Sequence, residues 1–331
     1  MIRFLMSFLR GPQIKAFFCD KRGTFIHIIF IVNVLAFLCC LGILFNLLAV
    51  QPVRANSGIA AARALYHGSA GDPTLNPSAQ GISSNPTEQH AVEKLPYSKL
   101  HSVNPDVEGW VTIPDSNVDY PVLRTPAGSP DFYLTHDWMR NQSKYGSVFM
   151  LPSDLKAPKS SVVKNTIIYG HSMKDGTMFA DLLKYDSLEY YRSHTMVQLQ
   201  QGAEKSDWKI FAVIKANTDP AQGQPFDYQK RSFASTADFL KYIYEIQIRS
   251  VFNLPVDLKS TDSILTLSTC SYEFDGFRTV VFARKVRKNE KPGVETSKAE
   301  KNSRALYPDC WYKKYGGQKP SLPDFQSAAK K

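Results

Sequence analysis

The chain has 331 residues, enough for one or two ordinary domains with appendages, and its hydrophobic share of 43% suits a globular core. Its formal net charge is +10 at pH 7. Much of the positive excess lies in the first 22 residues and in a lysine-rich stretch from Lys285 to Lys331. Neither segment combines its charge with stacking aromatics in a nucleic-acid-binding pattern. The composition therefore argues against a nucleic-acid partner and favours a membrane surface or an anionic cell wall.

The first strongly apolar segment is Phe25–Val50. As a helix it would span the hydrocarbon core of a bilayer, about 30 Å thick. Basic residues precede it, so the positive-inside rule places residues 1–24 in the cytoplasm and the rest of the chain outside. An uncleaved signal-anchor is favoured over a cleaved signal peptide, because the apolar core of a signal peptide is usually only about 7–15 residues long.

Three further segments follow the apolar one. Residues 51–94 are rich in Ala, Gly, Ser, Asn and Pro, which predicts an extracellular stalk, with Ile59–Tyr66 as a helical continuation. A folded domain is expected over 95–288, and a basic tail over 289–331. Within that tail, the aromatic cluster Tyr307–Gly317 either docks back on the domain or binds wall polymer.

The folded domain is predicted to be mainly β. The predicted strands are Val107–Pro114, Val118–Leu123, Tyr145–Met150, Asn165–Tyr169, Met196–Leu199, Trp208–Ala216, Ser263–Cys270 and Thr279–Arg284. Short helices are predicted at Thr177–Leu183 and Ser187–Ser193, and a longer one at Ser235–Ile246. The longer helix lies in the connection Asn217–Thr261, whose length is typical of a functional insertion.

The last two strands form a hairpin around the turn signal Asp275–Gly276. Cys270 ends the first of these strands, and Arg278 stands where the second begins. The period of two separates two faces, one with Ile264, Thr266, Ser268 and Cys270, the other with Leu265, Leu267 and Thr269. One face therefore presents hydroxyls and a thiol at a strand end, which is suited to a nucleophile.

A thiol with an ordinary pKa of about 8.5 is mostly protonated at neutral pH, so it needs a partner. The best candidate is His171, which follows a predicted buried strand and Gly170 and is free to point into a cleft. His136 and His194 lie in polar segments without that context, and His27 lies in the apolar span.

Arg278 is permanently charged and could stabilise the oxyanion that forms when a thiol attacks a carbonyl. Its alternative role is an ion pair with Glu273 or Asp275. For Cys270 the alternatives are an inert buried thiol or a disulfide with Cys310, which would consume the thiol. The five cysteines, which are Cys19, Cys39, Cys40, Cys270 and Cys310, show no metal-ligand spacing, and no metal or other cofactor is expected.

The segment Thr266–Cys270, with Arg278 eight positions later, resembles the cysteine signature of the sortases, the cell-wall transpeptidases of Gram-positive bacteria. The segment Tyr169–His171 resembles their histidine strand. Several features resemble class B, namely Ser268, Tyr272–Phe274, the helix in the long connection, Asn104–Asp106, Gly109–Trp110 and Asp119–Val122. The resemblance implies a closed β-barrel of about eight strands with short helices, including one before the cysteine strand.

The same resemblance implies a membrane-anchored cysteine transpeptidase that cleaves an NPxTx- or xPxTG-like C-terminal sorting signal of secreted proteins. A thioacyl-enzyme would then pass the protein to a peptidoglycan amine. The implied catalytic residues are Cys270, His171 and Arg278, and the implied substrate contacts are Ser268, Thr269 and Ser271. The enzyme is expected to be a monomer at the cell membrane, without nucleic acid.

Other functions remain open at this stage. A pilus-polymerising sortase and a non-catalytic, membrane-anchored wall-binding module both fit the topology. A papain-like protease is disfavoured because its cysteine precedes its histidine, whereas His171 precedes Cys270 here. An L,D-transpeptidase is disfavoured because its arginine follows the cysteine much more closely.

Overall fold

The computed structural model describes residues 21–68, 96–154 and 164–325. The chain divides into two compact units, Met1–Asn56 and Ser57–Lys331. The predicted cytoplasmic segment before Lys21, residues 69–94 of the predicted stalk and the tail after Phe325 lie outside the described residues.

The first unit is helical where it is described. Helix α1 spans Lys21–Phe45, a π-helical turn covers Asn46–Val50, and helix α2 begins at Gln51 and runs to His67 in the second unit. By length and composition, one helix of the described chain could cross a membrane, Ile26–His67. The structure thus has one N-terminal apolar helix, a feature that membrane anchors and signal sequences share.

The described part of the second unit contains ten strands and four further helices. The helices are α3 Pro96–Val103, α4 Leu188–Ser193, α5 Thr236–Gln247 and α6 Asp309–Tyr315. The strands are β1 Val107–Thr112, β2 Asp119–Arg124, β3 Val148–Met150, β4 Asn165–Tyr169, β5 Met196–Gln201, β6 Glu204–Asn217, β7 Phe252–Asn253, β8 Ile264–Cys270, β9 Phe277–Lys285 and β10 Glu300–Lys301. Short 3₁₀ turns lie between them, including Ala180–Asp186 where the sequence predicts a helix over Thr177–Leu183.

Eight of the strands close into a barrel in the order β1-β2-β3-β4-β8-β9-β6-β5, and β5 pairs with β1 to complete it. The pairs β2/β3 and β4/β8 are parallel, and the other barrel pairs are antiparallel. This architecture confirms the predicted fold class.

Alternate residues of the cysteine hairpin enter two different apolar clusters. Leu265 and Leu267 of β8 join the cluster that holds Val213 and Ile168 from neighbouring barrel strands. On the opposite face, Ile264 joins an outer cluster with Val280, Phe282 and the apolar side of α5, formed by Phe239, Ile243 and Ile246. The helix in the long connection therefore covers the outer face of the cysteine hairpin. The hydroxyl side chains on that face of the hairpin are buried beneath the helix and its connection.

Helix α2 docks on the barrel over the segment that includes the predicted helix Ile59–Tyr66. The Trp138 indole donates to the Gly58 carbonyl over 2.8 Å, and the Tyr66 ring stacks on Trp110 with centroids 4.2 Å apart. Arg63 pairs with Asp119 at 3.2 Å. This part of the predicted stalk is thus packed against β1 and β2.

The start of the tail is bound to the barrel by a buried arginine. Arg284 of β9 is 1% exposed and forms two hydrogen bonds of 2.7 Å with the Glu290 carboxylate. Lys209 of β6 donates to the same carboxylate over 2.7 Å. The Arg284 hydrogen bonds, with that of Lys209, hold the pKa of Glu290 well below its usual range even though burial opposes this shift.

We expect Glu290→Gln to lower the free energy of unfolding by about 3 kcal/mol, since it leaves a buried guanidinium with only the more distant Asp257 carboxylate, 3.6 Å away. Glu204→Gln, which removes a surface pair with Lys285, is the matched control and should cost under about 1 kcal/mol. Denaturant unfolding at pH 7 measures both.

The effect of Glu290→Gln should also depend on pH in one direction. The pKa of Glu290 is lower in the folded state than in the unfolded state. Its contribution to the free energy of unfolding is therefore complete above the unfolded glutamate pKa of about 4.3 and is lost as pH falls below that value. The difference between wild type and variant should therefore shrink below about pH 4. A difference that grows on acidification would contradict the assignment.

Candidate active site

Cys270 ends β8 as a free, half-buried thiol. Its register partner across the hairpin is Arg278, near the start of β9. Directly opposed residues of an antiparallel pair project to the same side of the sheet. The next pair on the same face of the hairpin, Ser268 and Val280, is buried beside the outer cluster, whereas Cys270 and Arg278 are only partly buried. The thiol and the guanidinium therefore emerge together where that cover ends.

His171 reaches the same edge from the other side of β8. Strand β4 is parallel to β8, with Tyr169 paired to Ser268. Beyond the strand end, the Gly170 amide donates to the Ser268 carbonyl over 3.2 Å, and the Thr269 hydroxyl donates to the Gly170 carbonyl over 2.7 Å. Two residues past the last pair, His171 is thus level with Cys270. Three adjacent strands bring the sulfur, the imidazole and the guanidinium to one end of the barrel.

The orientation of the His171 ring is fixed by a backbone carbonyl. Its Nε2 lies 2.8 Å from the carbonyl oxygen of Leu134. Because a carbonyl can only accept a hydrogen bond, Nε2 carries the hydrogen, and Nδ1 is the nitrogen that can take up or release a proton. The amide of Phe179 donates to the His171 carbonyl over 2.8 Å and holds its backbone.

Gly146 makes this contact sterically possible. It has φ of +59°, and a Cβ there would lie 2.8 Å from the Leu134 oxygen and 3.0 Å from Cδ2 of His171. Next to it, the Tyr145 hydroxyl donates to Asp175 over 2.7 Å, which ties this segment to the loop after His171. Burial and this hydrogen bond raise the pKa of Tyr145 to about 12.

Neither of the carboxylates considered as partners for Arg278 pairs with it. In the described parts of the chain, no carboxylate forms an ion pair with this guanidinium, which donates to the Phe277 carbonyl over 2.9 Å. Glu273 instead pairs at 2.7 Å with the buried Lys215, which also pairs with Asp186 at 2.8 Å. Burial is the largest single influence and raises the pKa of Glu273, but the hydrogen bonds that the carboxylate accepts and the positive charge of Lys215 together outweigh it, so this pKa lies below its ordinary value.

The three predicted substrate contacts are all buried. Ser268 donates to the Tyr228 hydroxyl over 3.2 Å beneath the outer layer, and Thr269 is occupied by the Gly170 carbonyl. Ser271 directly follows the cysteine and is 5% exposed. Direct contact of these side chains with substrate stays a prediction.

The rival histidines have other partners. Nδ1 of His136 contacts the Phe132 carbonyl, and His194 contacts the carbonyls of Tyr190 and Asp115. The disulfide alternative is not formed, because Cys310 is a free, buried thiol in α6 whose pKa burial raises. Over residues 21–68, 96–154 and 164–325, no three His, Cys, Asp or Glu side chains cluster as metal ligands.

Sequence reasoning missed the residues that support the candidate catalytic ones. Leu134 precedes His171 by 37 positions, and it contributes through a backbone carbonyl that no motif identifies. Lys215 lies on β6, and only the barrel pairing places it beside Thr279 and Glu273. The one local signal in the sequence was Gly146, because a glycine allows the backbone to approach neighbouring groups closely, here the Leu134 carbonyl and the His171 ring.

Comparison with known proteins identifies the family of this domain. The model of the sortase domain matches residues 111–286. Sortase B of Listeria monocytogenes is 38% identical over 176 residues, which is 53% of this chain and 67% of that protein.

Two solved structures have the same fold. Clostridium perfringens sortase B is 31% identical with a TM-score of 0.51, and the match covers 57% of this chain and 99% of that one. A Staphylococcus aureus sortase B–substrate complex is 28% identical with a TM-score of 0.50, covering 58% and 85% of the two chains. The chain belongs to the sortase family, as a sortase B-like cysteine transpeptidase.

Proposed function

We propose that this enzyme cleaves an NPxTx- or xPxTG-like C-terminal sorting signal of secreted proteins and transfers them to an amine of peptidoglycan. The observation that supports the proposal most is the meeting of three adjacent strand ends at Cys270, His171 and Arg278. The Staphylococcus aureus sortase B structure was solved with a substrate, which supports a peptide-binding surface on the same fold.

In the first half-reaction, Nδ1 of His171 holds the proton that the Cys270 thiol has given up, and the Cys270 thiolate attacks the carbonyl carbon of the scissile peptide bond, so that a C–S bond forms and the carbonyl π bond opens onto oxygen. The developing oxyanion accepts hydrogen bonds from the Arg278 guanidinium. When the C–N bond breaks, the leaving amine takes a proton from Nδ1 of His171. The products are a released C-terminal peptide and a thioacyl-enzyme.

In the second half-reaction, a peptidoglycan amine attacks the thioester carbon. Nδ1 of His171 accepts the proton that the amine loses, and the Cys270 thiolate leaves as the C–S bond breaks. A new amide bond joins the secreted protein to the wall precursor, and the enzyme returns to its starting protonation.

The location is part of the proposal. The apolar helix that begins at Ile26 would act as an uncleaved anchor, with basic residues before it in the cytoplasm and the barrel outside. This places the thiol where secreted proteins and wall precursors meet. The domain boundaries at 25–50, 51–94, 95–288 and 289–331 and the monomeric state belong to the same hypothesis.

The direct test incubates the full chain, solubilised in detergent micelles, with each type of sorting-signal peptide and hydroxylamine. Hydroxylamine intercepts a thioacyl-enzyme as a hydroxamate, which mass spectrometry detects. A hydroxamate at the predicted bond is the expected result. If neither peptide class gave a hydroxamate, the proposed substrate would be contradicted. If the enzyme joined the acyl group to a pilin lysine rather than to a wall amine, the pilus alternative would be favoured.

We expect Cys270→Ala and His171→Ala each to abolish hydroxamate formation, because one removes the nucleophile and the other the acid–base group. Cys40→Ala, which removes an exposed cysteine of α1, should retain full activity and serves as the matched thiol control. Thermal unfolding should show that all three variants remain folded. Turnover by either of the first two would remove that residue from the mechanism.

Arg278→Ala should lower kcat by about 10²–10³-fold with little change in KM, the loss typical of a missing oxyanion donor. The kcat of Arg278→Lys should lie between those of wild type and Arg278→Ala, since lysine keeps the positive charge but lacks the planar, forked donors of the guanidinium. Arg124→Ala on β2, where the arginine pairs with Glu108, is the control. An unchanged kcat in Arg278→Ala would exclude the oxyanion role.

Gly146→Ala should lower kcat more than about tenfold, because the new methyl group would lie 2.5 Å from the Tyr133 carbonyl oxygen and 2.8 Å from that of Leu134, and would shift the carbonyl that orients the His171 ring. Gly128→Ala is the matched control, since Gly128 also has a positive φ, +81°, but no atom of another part of the chain lies within 4 Å of the position that a Cβ would occupy there. Both substitutions carry a similar cost of about 1 kcal/mol for a non-glycine residue at positive φ, and only the alanine at position 146 also meets backbone oxygens closer than 3.0 Å. Equal activity of the two variants would show that Gly146 does not position His171.

A further inference from the structure

The segment between Cys270 and Arg278 is held in place from outside the hairpin. Its backbone carbonyls at Glu273, Asp275 and Gly276 each accept a hydrogen bond from a distant side chain. The donors are Lys314 at 2.8 Å, Gln222 at 2.8 Å and Thr218 at 2.8 Å, in that order. We name residues 271–277 the catalytic loop, because Cys270 directly precedes this segment and Arg278 directly follows it.

One of these donors belongs to the C-terminal tail. Lys314 of α6 also lies over the Phe274 ring, 4.6 Å from its centroid. One turn earlier in α6, Trp311 stacks on Tyr307 with centroids 4.4 Å apart, and it faces Phe277 at 6.5 Å. The helix thus meets the catalytic loop with a cation, a hydrogen bond and aromatic surface.

The same helix also lies against the turn that carries Gln222, one of the other two donors. Gly223 has φ of +115°, and a Cβ there would lie 2.9 Å from Cβ of Asp309 at the start of α6. This glycine closes the short turn that carries Gln222. Asn217 donates to the Gly223 carbonyl over 2.7 Å and so joins the turn to the end of β6.

The tail reaches this position along an anchored path. Strand β10 pairs with β7, Asn302 donates to the Val251 carbonyl over 2.9 Å, and Leu306 donates to the Ile248 carbonyl over 2.8 Å. Cys310 is buried at the underside of α6. The tail is therefore fixed before it meets the catalytic loop, and it can transmit that fixed position to the loop.

We propose that α6 is a positioning element of the active site, in which Trp311 and Lys314 hold the catalytic loop so that Cys270 and Arg278 face one carbonyl group. This inference rests on the proposed function, since it assigns a purpose to the Cys270–Arg278 geometry. The aromatic cluster of the tail then docks back on the domain, which is the first of the two roles considered for it from the sequence.

The test compares Lys314→Met with Lys313→Met in the full chain in detergent micelles. Both variants lose one positive charge from adjacent positions of α6, but only Lys314 contacts the catalytic loop. We expect Lys314→Met to lower kcat in the hydroxamate assay about fivefold to tenfold with KM changed less than about twofold, because the competent loop conformation becomes less populated. Lys313→Met should match wild type.

A second pair of variants tests the aromatic contact. Trp311→Ala should lower kcat by about tenfold or more, whereas Trp311→Phe, which keeps a stacking ring, should recover most of that loss. If Trp311→Ala does not fold, the lysine pair alone decides the question.

Amide hydrogen exchange over 271–278 separates failure of this inference from failure of the proposed function. The Ser271 amide donates to the Phe277 carbonyl and the Phe277 amide to the Phe274 carbonyl, so a loosened loop exchanges faster. Faster exchange in Lys314→Met than in Lys313→Met supports the inference even if wild type cleaves no sorting peptide. Equal exchange and equal kcat in the two variants would overturn it, as would a loss of thermal stability with kcat unchanged.

Discussion

The parallel pairing of β4 with β8 is the constraint on which the site depends. Parallel strands bring their carboxyl ends to the same edge, so a histidine after one strand and a cysteine at the end of the other become neighbours. Antiparallel β9 then begins where β8 ends and places Arg278 opposite Cys270. A slip of one residue in either pairing would turn the thiol to the barrel interior, because successive side chains alternate between faces. Closure of the barrel, and the buried residues on both sides of β8, fix that register.

Burial along β8 decides which polar side chain becomes reactive. The outer face of this strand carries Thr266 and Ser268 before Cys270, and the first two lie under the layer built by the long connection. Each of these hydroxyls has a partner there, Asn165 for Thr266 and Tyr228 for Ser268, as buried polar groups require. The cover stops at Ser268, so the thiol is the first polar group of this face that solvent and substrate can reach.

The sequence was sufficient for the elements that carry local signals. The strand ends, the hairpin turn and the amphipathic helix over Ser235–Ile246 agree with β4, β8, β9 and α5 within a few residues, since periodicity and turn residues encode them. Contacts between distant segments were not predictable. The Leu134 carbonyl beside His171 and the Lys215–Glu273 pair both depend on how the barrel closes. The predicted contact of Ser268 and Thr269 with substrate requires accessible hydroxyls, yet both side chains are buried, because a strand pattern assigns each residue to a face and cannot tell what covers that face.

The charges around the hairpin explain why Arg278 is suited to an oxyanion although a second cation lies nearby. Lys215 and Ala216 pair with Thr279 and Arg278 of β9, so the two cations belong to adjacent positions. Lys215 is buried and is neutralised by Glu273 and Asp186, both within 2.8 Å. If either carboxylate paired with Arg278 instead, its donors would be occupied and its field cancelled before substrate arrived. By holding Glu273, Lys215 leaves the Arg278 guanidinium without a carboxylate among the described residues, as the proposed oxyanion role requires.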